Sequence, residues 1–237
     1  LLFLFAVFVY FFLSFLHIET NFPYSADLST IYFTIVNVIC LYVLFLISKK
    51  GKMSLKELVG YDRTRFIKDM LFAFLWLFVL YIPFSLTIMG TMFLMYGADF
   101  PHQFEAVFAG DTSGGIARPS WLIWTGAIFA LFFPFLNAPV EELMYRGFAQ
   151  RVFIRSYTKV WLGMVIPSIG FALQHVVLAT SIPAAVVYMA AFFVWGVGSG
   201  IIYYKQQRLF PLILCHFIVN FSFSILPIVL LLTGVYS

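Results

Sequence analysis

Residues 70–96, Met70-Leu-Phe-Ala-Phe-Leu-Trp-Leu-Phe-Val-Leu80-Tyr-Ile-Pro-Phe-Ser-Leu-Thr-Ile-Met-Gly90-Thr-Met-Phe-Leu-Met-Tyr96, contain no charged side chain. A helix of about 20 apolar residues crosses the hydrocarbon core of a bilayer, so this stretch reads as a membrane span. Six others read the same way, giving spans near 1–17, 29–48, 70–96, 120–150, 161–180, 183–204 and 209–232. Their apolar runs are continuous and do not alternate, which selects helices over the strands of a membrane barrel. The opening run has no small-residue cleavage site and reads as a retained span. The whole chain agrees: it is 63% hydrophobic and 10% charged, with a mean hydropathy of +1.00. A soluble domain carries about 25% charged residues. A cytosolic enzyme, a disordered protein and a nucleic-acid binder are thereby excluded. The expected fold is an all-α, polytopic membrane bundle of about seven helices in a single domain over 1–237. Spans and loops fill 1–119, and the chemistry concentrates in 120–232. The two cysteines, Cys40 and Cys215, sit in apolar runs and signal no disulfide framework.

The loops sort by charge. Lys49, Lys50, Lys52, Lys56, Arg63, Arg65 and Lys68 follow the second span. Arg146, Arg151, Arg155 and Lys159 end the fourth, and Lys205 and Arg208 follow the sixth. Every Lys and Arg except Arg118 therefore lies on one side of an alternating seven-span arrangement. The positive-inside rule makes that side cytoplasmic, with the N-terminus in. The opposite loops carry Glu19, Asp27, Asp99, Glu105 and Asp111. Residues 49–69 mix lysines with Met53, Leu55, Leu58 and Val59, which suits an amphipathic helix on the inner interface or a basic loop drawn to anionic lipid. Gly110-Asp-Thr-Ser-Gly-Gly115 reads as an outer loop.

An ionisable group at the centre of a span costs about 2.5–3.5 kcal/mol even on insertion scales, so such groups mark where chemistry is to be sought. Here they fall in the later spans: Glu141, Glu142 and Arg146, then His175, then His216 with Asn220. On a helix Glu142 and Arg146 share a face and can pair, while Glu141 points about 100° away and stays free. Pro139 marks a kink. His216 and Asn220, four apart, face one point, and Phe171 lies one turn before His175. The fourth and fifth spans form a hairpin turning near Tyr157 and Thr158, with Glu141 and His175 each about 17 residues from the turn and so about level. Glu141 comes to about 15 Å below the inner surface and His216 to about 12 Å. A single membrane His or Asn is commonly helix–helix glue, and an i,i+4 Glu–Arg pair is commonly structural. Three polar clusters at matched depth point to a site.

Two chemistries suit these residues. Glu141 with His175 can activate a water, and His216 and Asn220 can donate to the oxyanion formed when that water attacks an amide. Alternatively, Glu141, His175 and His216 make up a His₂Glu zinc set with metal-bound water as nucleophile. The His-Glu-x-x-His motif and a Gly-x-Ser-x-Gly elbow are both absent from the sequence.

Glu141-Glu142-x-x-x-Arg146, Phe171-x-x-x-His175 and His216-x-x-x-Asn220, in that order on successive spans, resemble the three motifs of the CPBP family. These are the CAAX-processing and bacteriocin-processing (Abi) intramembrane proteases, related to the Ras-converting CAAX endopeptidase. The resemblance covers about 120–232. It implies a helical membrane endopeptidase with a polar cavity opening to the cytoplasm, in which Glu141 and His175 activate water and His216 and Asn220 hold the oxyanion. Glu142, Arg146 and Phe171 support the site. Members are described both as metal-dependent, with zinc the possible ion, and as glutamate-dependent without metal; the glutamate type is slightly favoured here, because Asn in place of a third strong ligand is a poor metal donor. The implied partners are a membrane-associated peptide or protein substrate and the lipid bilayer. The Phe, Ile, Tyr and Lys-rich composition suggests an AT-rich bacterial genome and hence a bacterial plasma membrane. Two rivals stand beside the protease: a non-catalytic member acting as a membrane scaffold or an immunity or regulatory binding protein, and a proton-coupled transporter. No inverted repeat supports the second.

Overall fold

The computed structural model describes residues 2–17, 26–51, 54–108, 120–157 and 159–233, and no strand occurs among them. The helices are α1 (Leu2–Phe15), α2 (Ala26–Lys50), α3 (Leu55–Val59), α4 (Phe66–Tyr96), α5 (Phe100–Phe108), α6 (Ser120–Glu142), α7 (Arg151–Tyr157), α8 (Val160–Val176), α9 (Ile182–Gln206) and α10 (Phe210–Leu232). A π-helical segment, Leu143–Gln150, joins α6 to α7 without a break. Each expected span coincides with a helix. Segments Ser29–Lys50, Leu55–Phe108, Ser120–Tyr157 and Ile182–Gln206 are long and apolar enough to cross a membrane, whereas Leu4–Phe15, Val160–Val176 and Phe210–Ile225 are apolar but shorter. The protein is a helical membrane bundle. Its lipid-facing sides are apolar, as on α4, where Leu71, Phe78, Ile82, Leu86 and Leu94 lie exposed.

Packing closes a circuit. Helix α6 lies against α2 and α10, α10 against α4, α4 against α9 and α9 against α8, and α8 returns to the π-helical segment. The enclosed core includes Leu80, Val140, Phe171, Trp195 and Leu212. Tyr32, Phe33 and Leu122 fill a second cluster between α1, α2 and α6. A third, with Met92, Val107 and Val187, seats α5 against α4 and α9.

Local chemistry sets the helix ends. Ser181 caps α9, its hydroxyl accepting from the Ala184 N–H at 3.1 Å, and Pro183 follows in the first turn, where its missing N–H costs nothing. The basic segment over 49–69 is not one amphipathic helix. Helix α3 stops after five residues at Gly60, whose left-handed φ of +67° ends it. A tight turn at Arg63–Arg65 follows. There the hydroxyl and N–H of Thr64 both donate to Asp62 Oδ1, at 2.7 and 2.9 Å, and hold this exposed carboxyl below the usual carboxylate range. Leu58 is still buried, so the segment seats on the bundle's end. Arg208 then locks that end. It donates to both Asp69 oxygens at 2.7 Å and to the Gly60 carbonyl at 2.8 Å. Arg118, Glu19, Asp111, the 110–115 loop and Thr158 lie outside the described residues.

Candidate active site

The expected kink at Pro139 takes a different form: α6 runs on through Pro134 and Pro139 and then widens into the π-helical segment. Such segments lengthen the helical turn and re-aim side chains, which is why they recur at functional sites. Here the widening starts one residue after the two carboxylates. Glu141 and Glu142 are 2% and 1% exposed and Arg146 is 2% exposed, so all three charges lie inside the bundle.

Glu142 is the carboxylate that is paired. Its Oε1 accepts from Arg146 Nη1 at 3.3 Å and from His216 Nδ1 at 3.0 Å. Arg146 also donates to the Ser199 hydroxyl and, at 3.5 Å, to the Gly196 carbonyl. Its guanidinium lies 4.6 Å from the centre of the Phe171 ring. The ion pair is thus tied at once to α8, α9 and α10. Because a carboxylate only accepts, the bond to Glu142 assigns the His216 proton to Nδ1 and turns Nε2 the other way. That nitrogen lies 3.7 Å from Glu141 Oε2, beyond a direct hydrogen bond.

Glu141 Oε2 and Glu142 Oε2 are buried and accept no hydrogen bond from the described residues, and Gln174 Nε2 and Asn220 Nδ2 are buried and donate none at hydrogen-bonding distance. Buried polar atoms are seldom left so. His175 is aligned from its own helix: Nδ1 donates to the Phe171 carbonyl at 2.7 Å, leaving Nε2 as the acceptor. Its ring is stacked on Phe192 at 3.7 Å. Phe171 is the wedge between the clusters, with ring centres 4.6 Å from His175 and 6.2 Å from His216. Glu141, Glu142, Arg146, Phe171, His175 and His216 therefore meet in one place, and Asn220 lies one turn beyond His216.

The zinc alternative named Glu141, His175 and His216 as ligands. Among the described residues no group of three or more His, Cys, Asp and Glu is placed to hold a metal ion. His216 and His175 each commit Nδ1, to Glu142 and to the Phe171 carbonyl, and keep Nε2 free.

Several residues of this neighbourhood escaped the sequence reading. Ser199 sits in Gly196-Val-Gly-Ser-Gly200, where small residues let α9 approach closely: a Cβ on Gly196 would lie 2.8 Å from Ser168 Cβ. Tyr145 donates to Gln174 Oε1 at 2.8 Å. Gln150 donates to the Gly200 carbonyl at 2.9 Å, and Asn37 donates to Asn137 at 2.6 Å, one turn before Glu141. Phe192 is one aromatic in an aromatic-rich span. The polar ones share a readable signal, a hydrogen-bonding side chain inside an apolar run, although Asn37 by itself reads as packing.

Residues 120–222 match the family described as Type II CAAX prenyl endopeptidase Rce1-like. No curated protein and no solved structure matches the chain. The matched stretch runs from the start of α6 into α10 and contains every member of the buried cluster. This stretch is therefore similar to the Rce1-like CAAX proteases, and it lies within a multi-pass helical membrane protein.

Proposed function

We propose that the protein hydrolyses a peptide bond in the tail of a membrane-associated peptide or protein, with Glu141 as the group that activates water. The observation that carries this reading is the set of unsatisfied buried atoms around Glu141. Both carboxylates keep Oε2 without a hydrogen-bond partner, but Glu142 Oε1 is held by Arg146 and His216, while the His216 nitrogen facing Glu141 stands 3.7 Å away. That asymmetry separates a supporting group from a working one.

In the proposed reaction Glu141 takes a proton from a water whose oxygen attacks the scissile carbonyl carbon. His175 Nε2, the bare acceptor, holds the water's second hydrogen. The charge forming on the carbonyl oxygen accepts hydrogen bonds from Asn220 Nδ2 and from the His216 ring, which Glu142 holds through Nδ1. The C–N bond then breaks, and the proton on Glu141 passes to the leaving amine. Arg146 and Phe171 keep Glu142 and the two histidines in register. In this reading the basic loops face the cytoplasm and the protein works in a bacterial plasma membrane. Its substrates are C-terminal tails of the kind the family description names.

The test compares peptide ends by mass spectrometry in cells carrying the parent protein or Glu141→Gln. Unprocessed precursors that accumulate with the variant support the proposal and name the substrate. Identical profiles, with the variant present at parental levels, overturn it in favour of the scaffold or binding role. Asn220→Ala is expected to lower the rate about 10²–10³-fold, as the loss of one oxyanion donor does.

A further inference from the structure

Gln174 has no part in the mechanism above, yet it is built into the same cluster. Its Oε1 accepts from the Tyr145 hydroxyl at 2.8 Å. A hydroxyl has one proton to give, and its other acceptor, the Gly170 carbonyl, is farther away at 3.4 Å. Tyr145 is in turn fixed edge-on against Phe171, with ring centres 5.4 Å apart. The carboxamide is therefore anchored by its oxygen, and its nitrogen is turned toward the Glu141 carboxylate, which lies beside it. That nitrogen is buried and, beyond a loose approach to Glu141, has no hydrogen-bond partner, and Asn220 Nδ2 has none.

Leaving an amide N–H₂ unpaired in an apolar interior costs about 1–3 kcal/mol. A group held at that cost has its partner in the complex. Two unpaired amide donors beside two unpaired carboxylate oxygens match what an extended peptide offers, whose carbonyls accept and whose N–H groups donate. Asn220 is assigned to the carbonyl under attack, which leaves Gln174 for another.

We propose that Gln174, anchored by Tyr145, binds the substrate by donating from Nε2 to a backbone carbonyl of the peptide lying across Glu141. The inference rests on the peptidase reading above. It makes Gln174 a binding group that holds ground state and transition state alike, so its loss appears in KM and leaves kcat nearly unchanged.

The experiment uses the full chain in lipid nanodiscs and a fluorescent, farnesylated tail peptide as probe, with binding followed by anisotropy and cleavage by chromatography. Gln174→Met keeps the volume and removes the donor. It is expected to weaken binding and raise KM about tenfold, with kcat within about twofold and an unchanged melting temperature. Tyr145→Phe, which frees the carboxamide to turn, is expected to give a smaller change in the same direction. Parental binding and KM in Gln174→Met would overturn the inference. So would a loss confined to kcat with a displaced pH–kcat profile, the mark of a residue that only positions Glu141. Measuring binding separately from cleavage keeps the two readings apart. A parent that binds but does not cut the peptide removes the peptidase reading while the Gln174 contact stands or falls on anisotropy. A parent that neither binds nor cuts overturns both.

Discussion

Arg146 is among the largest fully buried side chains of the protein, and each direction from its guanidinium meets a different helix. Removing one partner of a buried ion pair costs about 3–5 kcal/mol, because the other charge is left uncompensated. Arg146→Ala is therefore expected to lower the melting temperature in detergent sharply as well as abolish activity. Ser199→Ala, which withdraws one acceptor from the same guanidinium, should cost about 1–3 kcal/mol. A parental melting curve for Arg146→Ala would refute the structural role given to the pair. The pairing itself was legible in the sequence, since Glu142 and Arg146 stand four apart and Glu141 does not. Its extension to Ser199 and Gly196 was not, because nothing local says which turn of α9 will lie opposite α6.

At the scale of elements, the α7–α8 hairpin depends on close approach. A Cβ on Gly163 would stand 2.2 Å from Ile154 Cγ1 and 3.0 Å from both the Gln150 carbonyl oxygen and the Ile154 nitrogen. The first neighbour can rotate away and the backbone atoms cannot. Gly163→Ala is expected to cost about 1–3 kcal/mol through overpacking, read as a lower melting temperature. Parental stability would show that the hairpin yields more readily than its geometry implies. Span positions were readable because length and apolarity decide them. The π-helical segment was not: Pro139 announces a disturbance in the hydrogen-bond ladder, but whether a helix bends or widens depends on the neighbours that take up the freed groups. Of the two readings of 49–69, only the single interfacial helix is overturned, because Gly60 and Asp62 break the segment into short turns.

At the scale of the whole molecule, the bundle is fastened at one end by Arg208, Asp69 and Gly60, which join the start of α10 to the start of α4. Asp69 is fully buried, so Asp69→Ala should cost about 3–5 kcal/mol and expose the 51–65 segment to limited proteolysis. An unchanged digestion pattern would show that the fastening lies elsewhere. The convergence of the late motifs was foreseeable from depth alone. The circuit that encloses them was not, because loops say which helices follow one another and not which ones touch. One member of that circuit has a reach set by its length. Helix α8 has 17 residues, about 25 Å from end to end, while a typical hydrocarbon core is about 30 Å thick. Trp161, Ile169 and Leu173 are exposed along it, so lipid tails meet it directly and must shorten, or the helix must sink, to match. His175 is carried in its last turn. Membrane thickness thereby becomes a variable of the chemistry: in vesicles of short-chain phosphatidylcholine the protein should turn over faster than in long-chain ones, and a rate indifferent to tail length would show that the bundle carries its own collar.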